Sequence, residues 1–259
     1  MTDTLERIRI ALQGRYAVER EVGRGGMAVV FLARDEKHQR RVAVKVLRPE
    51  LSAAVGPSRF LREIEIAAHL SHPHILALHD SGETEGLLYY IMPYVEGDTL
   101  RSRLSRERRL SIDDAIRVAT AVARALDYAG RRGVVHRDIK PENILFNDGE
   151  PVLTDFGIAY AASSGDVRLT ELGLSIGTPE YMSPEQCMGD GVDGRSDIYS
   201  LGCVLYEMLS GSPPFTGGSS SMIASRHLTE PVPSIARERP DTPPHLASDV
   251  SRALAKSPA

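Results

Sequence analysis

Two cysteines, Cys187 and Cys203, stand in 259 residues. They lack the paired spacing of a thiolate metal site, so buried, reduced thiols in a reducing compartment are expected. The eight histidines form no zinc pattern. Excess charge is missing too. A formal net charge of −4 and a pI near 6.1 leave no basic footprint for nucleic acid and no attraction to anionic lipid, which favours a protein or small-molecule partner. No apolar run approaches the roughly 20 residues a membrane span needs; the longest, Ile198 to Leu209, is cut by Ser200 and Glu207. The first residues carry Asp3 and Glu6 without a signal-peptide core, so no export signal is read and a cytoplasmic location is expected. What is present, 42% hydrophobic and 25% charged residues, suits one large core or two lobes sharing a cleft.

The most informative stretch is His136-Arg137-Asp138-Ile139-Lys140-Pro141-Glu142-Asn143. It offers a base (Asp138), a phosphate partner (Lys140) and a hard-oxygen metal ligand (Asn143), the residue types that move a phosphoryl group from a magnesium-nucleotide to a hydroxyl. Twelve residues beyond Asn143 stands Asp155, opening Asp155-Phe156-Gly157. Between them Asn147-Asp148-Gly149 signals a two-strand turn, so a hairpin should fold Asp155 back beside Asn143.

Leu5, Ile8 and Leu12 predict a short amphipathic helix. From Tyr16 to Val46 the pattern is that of a β-meander, with strands around Tyr16 and Val18, Val29 to Ala33, and Val42 to Val46. Its first turn, Val22-Gly23-Arg24-Gly25-Gly26, lets backbone N–H groups approach phosphate oxygens, although a glycine-rich hairpin alone is a weak signal. A loop is expected at Ser52 to Pro57, then a helix with Phe60, Ile64, Ala67 and Ala68 on one face, ended by Pro73. Strands are expected at Ile75 to Leu78 and Leu87 to Val95. The remainder reads as mainly helical. Ser111 to Asp114 resembles a capping box before a helix whose apolar face is Ile116, Ala119, Val122, Ala123 and Leu126. Residues Gly157 to Met182 read as a long functional loop, and Ser196 to Leu209 as a helix too apolar all round for a surface.

Taken in order, the glycine loop, Val42-Ala43-Val44-Lys45, the two motifs above, Gly177-Thr178-Pro179-Glu180-Tyr181, Ser183-Pro184-Glu185 and Asp197-Ile198-Tyr199-Ser200-Leu201-Gly202 resemble a bacterial serine/threonine protein kinase of the eukaryotic-like type. The resemblance runs from about Tyr16 to the end of the chain. It implies an α+β, two-lobed protein-kinase-like fold, with an antiparallel N-lobe sheet carrying one main helix and a mostly helical C-lobe. The expected divisions are a lead-in helix at 1–15, an N-lobe at 16–95, a hinge at 92–98 and a C-lobe at 96–259 that stops short of its usual end. It implies roles by position. Lys45 would hold the α/β-phosphates of ATP and pair with Glu63, for which Glu65 is a rival on sequence alone. Asp138 would orient and deprotonate the acceptor hydroxyl, Lys140 would stabilise the γ-phosphoryl, and Asn143 and Asp155 would hold Mg²⁺ or Mn²⁺. Val22, Gly23, Gly25 and Gly26 would cover the nucleotide. Met92 would be the gatekeeper, and the Pro93 carbonyl and Val95 backbone would read adenine. Val30, Ala43 and Leu145 would sandwich the base, and Asp98 would reach the ribose.

Lys140 two residues after Asp138, together with Thr178, resembles the serine/threonine branch. The resemblance also implies protein substrates, a homodimer for trans-autophosphorylation, and control through Arg137 by a phosphate on Thr170 or, second, Ser175. Tyr160 stands where many relatives have a basic residue, and Ala28, Ser183 and Tyr199 are milder departures. Relatives continue into helices whose arginine pairs with the position of Glu185, so that carboxylate is expected to lack this partner, with Arg195 or Arg252 as candidate substitutes; a longer parent could be membrane-anchored through such a segment. The competing readings are a pseudokinase-like nucleotide-binding or scaffold module and an inactive fragment, against which stand Lys45, Asp138 and Asp155.

Overall fold

The computed structural model describes residues 2–156 and 178–257, which form two compact units: 2–71 with 76–96, and 72–75 with 97–156 and 178–257. In the first, α1 (Thr2–Leu12) precedes β1 (Tyr16–Arg24), β2 (Ala28–Asp35), β3 (Arg40–Leu47), α2 (Pro49–Val55), α3 (Pro57–Ala68), β4 (Asp80–Thr84) and β5 (Leu87–Pro93). The strands pair antiparallel in the order β1-β2-β3-β5-β4. Because side chains alternate across a strand, the register decides which residues share a face. Val29, Phe31, Val42, Val44, Val46 and Ile91 meet Ile8 and Leu12 of α1 in one core cluster. The lead-in helix therefore covers one side of the sheet, pinned by Arg9 Nε donating to the Val18 carbonyl at 3.0 Å. The opposite side carries the rows Val30↔Lys45↔Tyr90 and Leu32↔Ala43↔Met92. There α3 packs through Phe60, whose ring lies 6.5 Å from that of Tyr90.

Three local expectations differ from the structure. Residues 49–55 form a helix rather than a loop, burying Leu51 and Val55 and breaking at Gly56, whose φ of 77° ends α2 before Pro57 starts α3. Ala68 is exposed, outside the buried face of Phe60, Ile64 and Ala67. No strand forms at 75–78. The edge strand beside β5 is β4, Asp-Ser-Gly-Glu-Thr, which has no apolar alternation and is held by backbone pairing to β5 through a tight turn at Glu85 and Gly86, both at positive φ.

In the second unit α4 (Leu100–Glu107) starts from a capping box of Thr99 and Ser102, and α5 (Ile112–Gly130) from Ser111, whose hydroxyl accepts from the Asp114 N–H. The buried face of α5 is Ala115, Val118, Ala121, Val122, Ala125, Leu126 and Ala129. Ile116, 36% exposed, lies off it with Ala119 and Ala123, because the small residues are what let a neighbouring helix approach. The hairpin of β6 (Ile144–Asn147) and β7 (Glu150–Leu153) follows, turning at Asp148 and Gly149 with φ of 50° and 82° as a two-residue turn demands. Then come α6 (Pro184–Met188), α7 (Gly194–Ser210), α8 (Ser220–Thr229), α9 (Ile235–Glu238) and α10 (Pro244–Ala253). Helix α7 is the buried post of this unit, although Ile198 reaches the surface at 43% exposure. At Gly202 a Cβ would stand 3.0 Å from that of Ala253, so glycine sets how closely α7 and α10 pack. Among the described residues no helix is long and apolar enough to cross a membrane.

Glu185 is not left without a partner: it accepts a hydrogen bond from Ser196 Oγ, whereas Arg195 bonds Asp193 and Arg252 bonds Asp249. The partner is a neutral hydroxyl on α7, eleven positions along the chain, rather than an arginine.

His227 on α8 is fully buried, its Nδ1 2.9 Å from the Tyr199 hydroxyl and its ring edge-on to Phe215. Burial first, then the Lys256 ammonium, pushes its pKa down to about 4. Below the ordinary imidazole range the unfolded chain therefore binds a proton that the native state refuses. Stability from this group is present above pH 6.5 and lost as pH falls towards 4, a loss of about 3 kcal/mol. Urea melts of the parent and of His227→Gln at pH 7.5 and pH 4.5 should show a smaller acid loss in the variant; equal losses would place the acid sensitivity elsewhere.

Candidate active site

The catalytic stretch hangs from a buried carboxylate on α7. Asp197 Oδ2 accepts from the His136 N–H and Oδ1 from the Arg137 N–H, each at 2.7 Å. Burial pushes the Asp197 carboxyl pKa up, opposed by His136 and by these N–H bonds. With both amides aimed at one acceptor, Arg137 takes a left-handed backbone, φ 68°. Gln186 Nε2 donates to the Arg137 carbonyl at 2.8 Å from the far side. His136 is wholly buried and bridges to the second motif. Its Nδ1 accepts from the Asp138 N–H at 3.3 Å, which leaves the proton on Nε2 to donate to the Thr154 carbonyl at 2.8 Å. Its ring also packs edge-on against Phe156, 4.6 Å between centroids.

The loop then places its functional groups together. Lys140 Nζ lies 2.7 Å from Asp138 Oδ2, and Asn143 Nδ2 donates to the Asp138 carbonyl at 2.8 Å and to Oδ2 at 3.1 Å. With its amide nitrogen turned to Asp138, Asn143 has its oxygen left to act as a ligand. The 3₁₀ turn Pro141–Asn143 leads into β6, and the Thr154 N–H donates to the Asn143 carbonyl at 3.0 Å, so the hairpin returns Asp155 beside Asn143 as its turn sequence predicts. Asp155 also has a left-handed backbone, φ 71°. An amide oxygen and a carboxylate are hard donors and fit Mg²⁺ or Mn²⁺, which keep positions for water and phosphate. Among the described residues no group of three His, Cys, Asp or Glu is placed to hold a metal.

In the first unit, Val30, Ala43, Lys45 and Met92 share the sheet face opposite α1. Lys45 Nζ stands 5.9 Å over the Tyr90 ring. Glu63 is half-buried on α3, beside the inward-facing Phe60 and Ile64, whereas Glu65 is exposed. The glycine turn closes by the Gly25 N–H donating to the Ala28 carbonyl at 2.9 Å, and Arg48 Nη2 donates to the Gly25 carbonyl at 2.9 Å. A Cβ at Gly26 would meet nothing within 4 Å, so internal packing does not demand glycine there. Val22 and Gly23 lie at the end of β1, with Gly23 opposite Val30; Pro93 closes β5, and Val95 follows it. Asp98 and Leu145 belong to the second unit, where Asp98 pairs with Arg106 at 2.9 Å and its carbonyl accepts from the Phe146 N–H. Gly97 permits this: a Cβ there would collide with the Phe146 carbonyl at 1.8 Å.

The segment 157–177, with Gly157, Tyr160, Ser163, Ser164, Thr170, Ser175 and Gly177, lies outside the described residues, and with it the expected phosphosites Thr170 and Ser175. Four residues of weight escape sequence reasoning as site residues: Asp197, Gln186, Arg101 and Glu207. For Asp197 and Glu207 a signal exists, a carboxylate carried by a helix that is otherwise apolar. For Arg101 and Gln186 there is none, since their partners are distant in sequence.

The family model described as protein kinase domain matches residues 16–256. The serine/threonine-protein kinase PknB of Mycobacterium tuberculosis is 45% identical over 256 residues, 95% of this chain and 40% of the relative. A probable serine/threonine-protein kinase PknB of Bifidobacterium longum is 42% identical over 254 residues, covering 94% of this chain and 37% of the relative. The chain thus spans about two fifths of the length of the curated relatives it matches. Among solved structures, the crystal structure of the Mycobacterium tuberculosis PknI kinase domain aligns with a TM-score of 0.77 at 34% identity, covering 95% of this chain and 90% of that one. The chain belongs to the protein kinase domain family, among the bacterial serine/threonine kinases.

Proposed function

We propose that the protein transfers the γ-phosphoryl group of ATP to serine and threonine hydroxyls of other proteins. The observation that carries this reading is the cluster in which Asp138 is held by Lys140 and Asn143 within 3.1 Å. Asp138 orients the acceptor hydroxyl and takes its proton, and Lys140 offsets charge on the migrating phosphoryl group. Asn143 Oδ1 and the Asp155 carboxylate would hold magnesium, or manganese, which when bound neutralises phosphate charge. Lys45, oriented by Glu63, binds the α/β-phosphates. The backbone of Val22, Gly23, Gly25 and Gly26 covers the nucleotide, and the unfilled space at Gly26 supports that use. Val30, Ala43 and Leu145 enclose the base beside Met92, the Pro93 carbonyl and Val95 backbone read adenine, and Asp98 takes the ribose hydroxyls. Control belongs to the same reading: trans-autophosphorylation within a homodimer on Thr170 or Ser175, read by Arg137, in the cytoplasm.

The test is transfer from γ-labelled ATP to matched peptides bearing Ser, Thr, Tyr or Ala, with magnesium or with chelator, alongside thermal melts. Label on Ser and Thr peptides only, lost with chelator, is expected. Saturating nucleotide at about 100 times Kd should add about 2.7 kcal/mol to stability. A metal-dependent rise in Tm with no transfer to any peptide would establish a binding module instead.

A further inference from the structure

Among the described residues of the second unit, Arg101 on α4 joins several partners away from the transfer site. Its guanidinium makes a three-way fork. Nε donates to Glu142 Oε1 at 2.7 Å, Nη1 donates to Glu207 Oε1 at 2.7 Å, and Nη2 donates to the Tyr181 hydroxyl. The Tyr181 proton goes in turn to Glu207 Oε2 at 2.5 Å. Four elements meet there: α4, the 3₁₀ turn Pro141–Asn143, the 3₁₀ turn Pro179–Tyr181 and α7. Glu207 is buried, with 5% of its side chain exposed, whereas Arg101 and Glu142 reach solvent at 33% and 43%. Burial opposes charge on Arg101, but the hydrogen bonds it donates to Glu207 and Glu142 hold its pKa above the usual arginine value; burial, then the Glu207 carboxylate, raises that of Tyr181. The guanidinium is therefore charged and the phenol protonated throughout the working range.

The fork ends on both sides of the chemistry without touching it. Glu142 immediately precedes Asn143, whose amide holds Asp138. Tyr181 stands two residues before Ser183, which shares a capping box with Gln186, and Gln186 holds the Arg137 carbonyl. We propose that Arg101 is a positioning residue for phosphoryl transfer: it fixes the turn at Glu142 and the turn at Tyr181 to one buried anchor, Glu207, and so sets where Asn143 and Asp138 stand. This deepens the function proposed above and rests on it. The planar fork aims its N–H donors in fixed directions at three acceptors, whereas an ammonium on a flexible stem carries three donors without that fixed geometry.

Arg101→Lys and Glu142→Ala, singly and together, test the inference, with Asp138→Asn as a control for the underlying reading. Displacing reacting groups by about 1 Å costs up to roughly 100-fold. Arg101→Lys should therefore lose about 10- to 100-fold in kcat while KM for ATP stays within about twofold. Glu142→Ala, which removes only the solvent-side arm, should lose less, and the double variant should be no slower than Arg101→Lys alone, since that arm is already released. Guanidinium ion at millimolar concentration should restore part of the turnover of Arg101→Ala, and methylammonium should not. A brace that only stabilises the fold would lower Tm in these variants and leave the kcat of the folded fraction unchanged, overturning the inference; additive losses in the double variant would do the same. If Arg101→Lys does not fold, Glu142→Ala decides, and parental kcat there overturns the proposal. An Asp138→Asn enzyme with parental turnover would instead refute the catalytic reading itself, whatever Arg101 does.

Discussion

Asp138→Asn is expected to lower kcat by about 10²–10⁴-fold, the usual contribution of a positioned general base. Affinity for magnesium-ATP should hold within a few-fold. Asparagine keeps an oxygen that can accept from Lys140 and Asn143, which lie 2.7 and 3.1 Å from Asp138 Oδ2, so the loop retains its shape and only proton acceptance is lost. Single-turnover transfer to a Ser peptide, with a nucleotide titration followed by melting, separates the two quantities. Parental single-turnover rates would take the base assignment away from Asp138.

The second large effect belongs to Asp197. Asp197→Ala removes the acceptor of two backbone N–H groups, those of His136 and Arg137. Leaving a buried donor without a partner costs about 1–3 kcal/mol, so the pair amounts to roughly 2–6 kcal/mol. That is a large share of the stability of an ordinary domain. Asp197→Asn keeps one accepting oxygen and turns an amide donor towards the other N–H, so it should fall between parent and alanine variant. Urea unfolding should rank them in that order, and turnover should follow, because a released Arg137 backbone would leave its left-handed geometry and carry Asp138 with it. An alanine variant with parental stability and turnover would show that Gln186 and His136 hold the loop unaided.

Local features were the legible ones. Asn147-Asp148-Gly149 announced a hairpin because a two-residue turn needs positive φ, and both Asp148 and Gly149 have it. Lys45 and Ala43 could be assigned to one sheet face by alternation, and the observed register adds Val30 and Met92. Strand β4 was not legible, since an edge strand held by backbone pairing needs no apolar pattern. The α5 face was legible in part, at Val122 and Leu126 but not Ile116, because alanines carry little periodic signal, and spacing does not encode the difference in burial between Glu63 and Glu65. Arg101 lay furthest out of reach: its anchor Glu207 is 106 positions away, and nothing in Leu-Arg-Ser-Arg marks which arginine reaches it.

The left-handed backbones at Arg137 and Asp155 carry a further consequence. Non-glycine residues held there store conformational energy, of order 1–3 kcal/mol each, that glycine would not. Both positions are therefore retained against the thermodynamic preference of the chain. Heat resistance used as the sole selection criterion on this domain would push both towards glycine and so discard the guanidinium and the carboxylate on which the proposed function draws. Any programme to harden this enzyme has to couple survival to turnover at every round, since the thermometer and the reaction disagree at these two residues.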